Sequence, residues 1–451
     1  MNSRLAREVG LPGAVLLGLG SILGTGVFVS IGIATAVAGP AVVLAIAVAS
    51  LVATCNALSS AQLAANHPVS GGTYEYGYRY LKPAFGFSAG WLFLCAKSAS
   101  AAAAALGFAA YTLNALGIAS TEYRTPLALL AVIAITALVI WGMRRSNRVN
   151  AIVVSITILA LAAFVVGGLP RLLAVGSESL VPLFGEDAES GARAARAFLH
   201  ATALMFVAYT GYGRVATLGE EIKDPAHNIP RAIVLTLLIS LVIYVSVGLV
   251  GVGSVGASAF AAATEEVAAP LEVVARQFGV PALPQFIAIG AVTAMLGVLL
   301  NLVLGLSRVV LAMARRGDMP GLLAKLDSTS TTPLPAVIFT GVIVTAIVLY
   351  GDIRVAWSFS AFTVLFYYAV TNLAALAMPA AERLYPRFVS AAGLVACVLL
   401  AFFVQREIWL VSLGILGVGL GWHVIARTRS CKRQTTTDQE SHADDGDHTR
   451  R

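Results

Sequence analysis

Uninterrupted apolar runs of about twenty residues follow one another along nearly the whole chain, and they constrain its fold more than any other feature. A helix needs about 20 mostly apolar residues to cross the hydrocarbon core of a bilayer. Twelve such runs are read at roughly 12–36, 40–65, 85–114, 125–142, 149–169, 197–219, 231–253, 283–313, 334–350, 355–379, 388–404 and 408–426, with boundaries good to about 2–4 residues. Leu, Val, Ile and Ala dominate them, and they do not alternate with period two, so they read as helices rather than barrel strands. Of 451 residues, 58% are hydrophobic and 12% charged, against about 25% charged in a typical soluble domain. The sequence therefore predicts an all-α integral membrane protein with 12 transmembrane helices and no soluble domain of useful size. Residues 1–10 read as a short cytoplasmic N-terminus, 11–426 as one membrane domain and 427–451 as a disordered cytoplasmic tail with too few apolar residues to bury.

The basic residues sort into alternate loops. One set holds Arg4, Arg7, Arg79, Lys82, Arg144, Arg145, Arg148, Lys223, Arg231, Arg315, Arg316, Lys325, Arg383, Arg387 and the tail. The other, thinner set holds Arg124, Arg171, Arg193, Arg196, Arg276, Arg354 and Arg406. Lys and Arg are retained on the cytoplasmic side, so both termini are expected there, as an even number of spans requires. The net charge of +7 is spread over separate short loops, which argues against a nucleic-acid face. Residues 1–10 lack the pattern of a cleavable signal, and the first span reads as an uncleaved anchor. Cys55, Cys95, Cys397 and Cys431 have no metal-ligand or disulfide spacing. No cofactor or metal is expected.

Within the first span, Gly18, Gly20, Gly24 and Gly26 fall in nine residues, each costing a helix about 1 kcal/mol relative to Ala. Such a segment either breaks the helix or packs it closely through small residues. An opened backbone in lipid must line a cavity or lie against protein, and freed amides at a half-helix start attract a carboxylate. The sixth span carries a second interruption, Tyr209-Thr210-Gly211-Tyr212-Gly213. Paired interruptions at corresponding places in two halves point to a transporter's midplane site. Two five-span halves, about 11–170 and 197–380, would be inverted relative to each other, with two further helices at about 388–426.

Three segments resemble the amino acid–polyamine–organocation (APC) superfamily. They are Gly20-Ser21-Ile22-Leu23-Gly24-Thr25-Gly26-Val27-Phe28, Pro68-Val69-Ser70-Gly71-Gly72-Thr73-Tyr74, and Gly219-Glu220-Glu221-Ile222-Lys223-Asp224-Pro225 through Ile229-Pro230-Arg231. Met313 to Pro320 adds the pattern that closes span eight. The resemblance implies a LeuT-like 5+5 inverted repeat with broken helices 1 and 6, working by alternating access as an amino acid permease in the cytoplasmic membrane. It implies that a substrate α-carboxylate meets amides of Thr25, Gly26 and Val27 around Gly24. The α-amino group would meet carbonyls near Ile22 and Leu23 and, in span six, near Phe206, Ala208, Tyr209 and Gly211. For the loops a structural role is favoured: Gly71-Gly72 allow a turn, and Pro225 and Pro230 stop helices. Glu220, Glu221, Lys223 and Arg231 are expected to pair with one another and to latch an inward gate secondarily.

Two ionisable side chains lie inside spans. Lys97, mid-span, costs at least about 2.5–3.5 kcal/mol at the bilayer centre unless it faces a cavity or partner. Proton-coupled relatives carry a lysine in span five, where this chain has Thr157, so Lys97 is a candidate to supply that charge from span three; a static ion pair is the equal alternative. Arg214 reads as a gate residue paired with Glu220 or Glu221, or as a group that meets an acidic substrate. Gly213 stands where relatives selective for cationic amino acids carry Asp or Glu, which tilts the expectation to a neutral substrate. Asn301, Asn372, Tyr367 and Tyr368 are candidates for the pocket or for interhelical hydrogen bonds. Sodium coupling, through carbonyls near Gly20 and Leu23 with Ser307, ranks below protons or exchange.

The expected function is thus a secondary active amino acid transporter, proton-coupled or exchanging, of undefined oligomeric state. A cationic amino acid or polyamine antiporter is the alternative, and an amino-acid-gated channel or receptor the rival class. The six histidines form no H-E-x-x-H pattern and no mid-span carboxylate pair occurs, which argues against an enzyme.

Overall fold

A computed structural model describes residues 9–67, 71–118, 120–141, 147–175, 180–181, 183–184, 191–216, 222–326 and 333–448. Among these residues the regular elements are helices, and the one strand-like feature is an isolated parallel bridge between Val9 and Ile222. In chain order the helices are α1 (Leu11–Ile22), α2 (Ile31–Ala38), α3 (Val42–Asn66), α4 (Thr73–Tyr80), α5 (Pro83–Ala115), α6 (Arg124–Ile140), α7 (Asn147–Val175), α8 (Gly191–Tyr209) and α9 (Gly213–Ala216). They continue as α10 (Pro225–Val255), α11 (Ala257–Glu266), α12 (Pro270–Ala275), α13 (Leu283–Arg316), α14 (Leu334–Tyr350), α15 (Ile353–Ala377), α16 (Arg387–Ala401) and α17 (Arg406–His448). Eight stretches among the described residues are long and apolar enough to cross a membrane, and α1, α14 and α16 are apolar but shorter.

Helix starts follow local chemistry. Proline occupies the first turn of α1, α5, α10, α12, α13 and α14, where its missing N–H costs nothing. Asp352 caps α15 by accepting from the Arg354 and Val355 amides. Gly71 and Gly72 have φ of 129° and 57°, so they make the turn into α4 that only glycine makes without strain. Pro230 departs from its expected role. It lies inside α10, near enough to the start that the helix gives up a single early hydrogen bond and continues.

Helices α5 and α15 form the centre. In each, 78% of the most apolar window is buried, against 28% for the stretch containing α6 and 22% for Arg406–Ala426. The run Ala101 to Ala105 is fully buried, and these small side chains let α13 and α15 pack against α5. Leu130, Ile133 and Trp141 of the α6 region face outward, as expected for a surface solvated by lipid. Arg124 donates to the carbonyls of Glu266 and Val267, and Arg354 pairs with Glu265 at 2.7 Å. Elsewhere Arg316 pairs with Glu75 at 2.6 Å and Arg79 meets His67. The last helix among the described residues, α17, runs from Arg406 to His448.

Candidate functional site at two interrupted helices

The first interruption lies at Leu23–Gly24, within the glycine cluster Gly18 to Gly26. Leu23 leaves the helical region with ψ of 103°, Thr25 is helical again, and a wide π turn over Gly26–Ser30 leads into α2. None of Gly18, Gly24 or Gly26 has a positive φ, so their smallness serves packing. A Cβ on Gly24 would lie 2.7 Å from Val298 Cγ2, and one on Gly26 2.9 Å from Ala208 Cβ. Close packing and helix breaking, alternatives in the sequence, occur together here. The second interruption is a 3-10 turn over Thr210–Tyr212 between α8 and α9. Its Gly211 rests on the carbonyl of Ser21, which any side chain would strike.

Tyr244, fully buried on α10, ties the two interruptions together. Its hydroxyl lies 2.9 Å from Ile22 O and 3.1 Å from Ala208 O, its one hydrogen shared between the two carbonyls. These are two of the carbonyls expected to face a substrate ammonium, so each already has a partner on one lone pair. The Val27 amide, expected at the carboxylate, donates to Gly24 O at 3.1 Å within the turn. Gly20 O accepts from Asn301 Nδ2 at 3.3 Å.

Two adjoining cavities open where the interruptions meet. The narrower, about 40 Å³, is lined by Ile22, Thr25 and Gly26 of the first and Ala208, Thr210 and Gly211 of the second, with Trp357 opposite. The Thr25 hydroxyl is buried there without a hydrogen-bond partner. The wider, about 120 Å³, extends past Phe93, Asn301, Tyr367 and Tyr368 to Gly71, Arg214 and Arg308. Lys97 lines both. It is 9% exposed, and its Nζ donates to Thr210 Oγ1 at 2.9 Å while that hydroxyl donates to Val207 O at 2.8 Å.

The residues singled out from sequence therefore divide. Ile22, Thr25, Gly26, Lys97, Ala208, Gly211 and Arg214 are brought to the cavities. Leu23, Gly24, Val27, Phe206 and Tyr209 are buried beside them without lining either; Tyr209 instead donates to Ile46 O at 3.3 Å. Glu220 and Glu221 lie outside the described residues. Asn301, Tyr367 and Tyr368 line the wider cavity, while Asn372 takes the interhelical role, donating to Asn56 Oδ1 and Tyr368 O. Ser307 donates back to Leu304 O. Sequence reasoning missed Tyr244 and Trp357. The sole local signal for either was a polar aromatic within an apolar run, a group that seeks a buried partner.

A sequence model of the family described as amino acid permease matches residues 13–439. The chain belongs to the amino acid permease family. An uncharacterised transporter of Mycobacterium tuberculosis is 39% identical over 441 residues, covering 97% of this chain and 95% of its own length. The branched-chain amino acid permease BcaP of Bacillus subtilis is 32% identical over 356 residues, 75% of this chain and 73% of its own. The vacuolar cationic amino acid transporter 4 of Arabidopsis thaliana is 26% identical over 371 residues, 78% of this chain and 59% of its own. Family membership and the apolar helices make this permease a multi-pass membrane transporter and not an enzyme.

Proposed function

We propose that the permease is a secondary active transporter that moves an amino acid across the cytoplasmic membrane by alternating access. The observation that carries this reading is the unpartnered, buried Thr25 hydroxyl in a cavity built jointly by two interrupted helices. Polar backbone opened at membrane depth needs a cavity and a ligand to offset its cost. The substrate α-carboxylate lies against the first interruption at Thr25 and Gly26, and its ammonium reaches the second near Ala208. The scaffold is a LeuT-like arrangement of twelve spans in a 5+5 inverted repeat, with both termini cytoplasmic.

The wider cavity reaches Gly71, Arg214 and Arg308, each close in sequence to a loop of the denser basic set. Tyr111 donates to Phe28 O at 2.7 Å and receives the Leu271 amide at 3.3 Å, joining α5, the first span and α12. Those contacts support an inward-facing state. Among the described residues no Asp or Glu lines either cavity, which argues against a cationic substrate. Lys97 is the ionisable group of the narrow cavity and the candidate for proton coupling; exchange is the alternative mode.

Proteoliposomes holding the purified permease should take up labelled amino acid saturably, with competition by unlabelled substrate. Linear, non-saturating flux would sink the carrier reading in favour of a pore.

A further inference from the structure

We propose that Lys97 makes this an acidic amino acid site, its ammonium receiving the side-chain carboxylate of an aspartate- or glutamate-like substrate. The inference rests on the transport reading above and specifies its substrate class.

An ammonium has three N–H donors. Lys97 gives one to Thr210 Oγ1 at 2.9 Å, the sole hydrogen bond it makes to a side chain among the described residues. It forms no ion pair among those residues, yet it is 9% exposed and lines both cavities. Its remaining donors therefore adjoin cavity space, with no carboxylate partner among the described residues. A buried charge without a counter-charge is strongly unfavourable, and supplying the missing partner stabilises it most.

The layout sets which part of a ligand would supply that partner. The narrow cavity holds the interrupted backbone, which suits the α-carboxylate and α-ammonium common to all amino acids. Lys97 and Thr210 are among the residues that line both cavities, so a side chain that runs from the narrow cavity into the wider one lies beside the ammonium. Arg214 and Arg308 line the same route. A cavity edged by cations draws anions inward and repels cationic side chains. A leucine-like side chain would seal the ammonium under apolar surface with no counter-charge. An arginine-like one would set two cations together. A carboxylate alone balances the charge.

Binding to the purified full-length permease in lipid nanodiscs tests this, with glutamate, aspartate, leucine and arginine as probes. Glutamate or aspartate should bind about tenfold or more tighter than leucine, with arginine weakest. Lys97→Met should erase that preference, and Lys97→Arg, which keeps the cation, should retain it. Leucine or arginine bound by the wild type as tightly as the acidic pair overturns the proposal, as does K97M weakening glutamate and leucine equally. The wild-type comparison stands even where K97M does not fold. Failure of the wild type to bind amino acids of any class overturns the transport reading itself.

Discussion

The Lys97 ammonium donates to the Thr210 hydroxyl at 2.9 Å, joining a charge on the central helix α5 to the turn that interrupts the helix after α8. A proton gained or lost on Lys97 would thus be felt at a backbone segment that lines the substrate cavity. Few ionisable groups inside a membrane are so directly placed to couple charge to shape.

That placement makes Lys97→Gln the first variant to examine. Uptake by proteoliposomes at a series of pH values should lose its pH dependence in K97Q, because glutamine keeps a donor for Thr210 but cannot titrate. A K97Q profile that parallels the wild type would remove Lys97 from proton coupling.

Tyr244→Phe deletes the hydroxyl shared by Ile22 O and Ala208 O. Two buried carbonyls then lose a donor, at about 1–3 kcal/mol for a buried polar group left unsatisfied. The variant should melt below the wild type and transport more slowly, the second because the two interruptions are no longer tied. Unchanged thermal unfolding and unchanged uptake would show that the bridge has no role.

Glycine at the two interruptions should be irreplaceable even by alanine. In Gly26→Ala the new methyl meets Ala208, and in Gly211→Ala it meets the Ser21 carbonyl. Overpacking of this kind costs about 1–3 kcal/mol, and here it would also push the half-helices apart. Both variants should lose most uptake. Gly417→Ala, whose methyl would find nothing within 4 Å, should fold and transport normally, since alanine favours helix. Normal uptake by G211A would count against the two interruptions moving in contact.

Glu272, on the short helix α12 outside the spans, is buried and pairs with Arg276 at 2.9 Å. Burial pushes its carboxyl above the usual carboxylate range, opposed by the Arg276 guanidinium beside it. The native state therefore holds this proton to higher pH than the unfolded chain does. The associated stability is full below the ordinary carboxylate range and is lost as pH rises through the raised native value. Melting followed across mildly acidic pH should show this decline in the wild type and a flatter profile in Glu272→Gln. Parallel profiles would assign the pH dependence to other groups.

Much of the fold was legible because its signals are local. An apolar run reports its own preference for lipid, and a cluster such as Gly18 to Gly26 reports its own difficulty in staying helical. Pro230 shows the limit of the same reasoning, since a proline stops a helix or rides in its first turns according to where the helix begins.

The sequence by itself determined the membrane class, the two interruptions, and the motifs that place the chain in its family. Tertiary structure alone decided that Gly26 abuts Ala208, that Tyr244 occupies carbonyls on both interruptions, and that Trp357 lines the narrow cavity. It also turned Lys97 toward Thr210 rather than toward a carboxylate among the described residues. The physical reason is range. Hydropathy and helix breaking depend on a few neighbours along the chain, whereas the partner of a buried polar group is set by how long helices pack. Residues such as Ile22 and Tyr244 meet only after 222 positions of chain have been folded away between them.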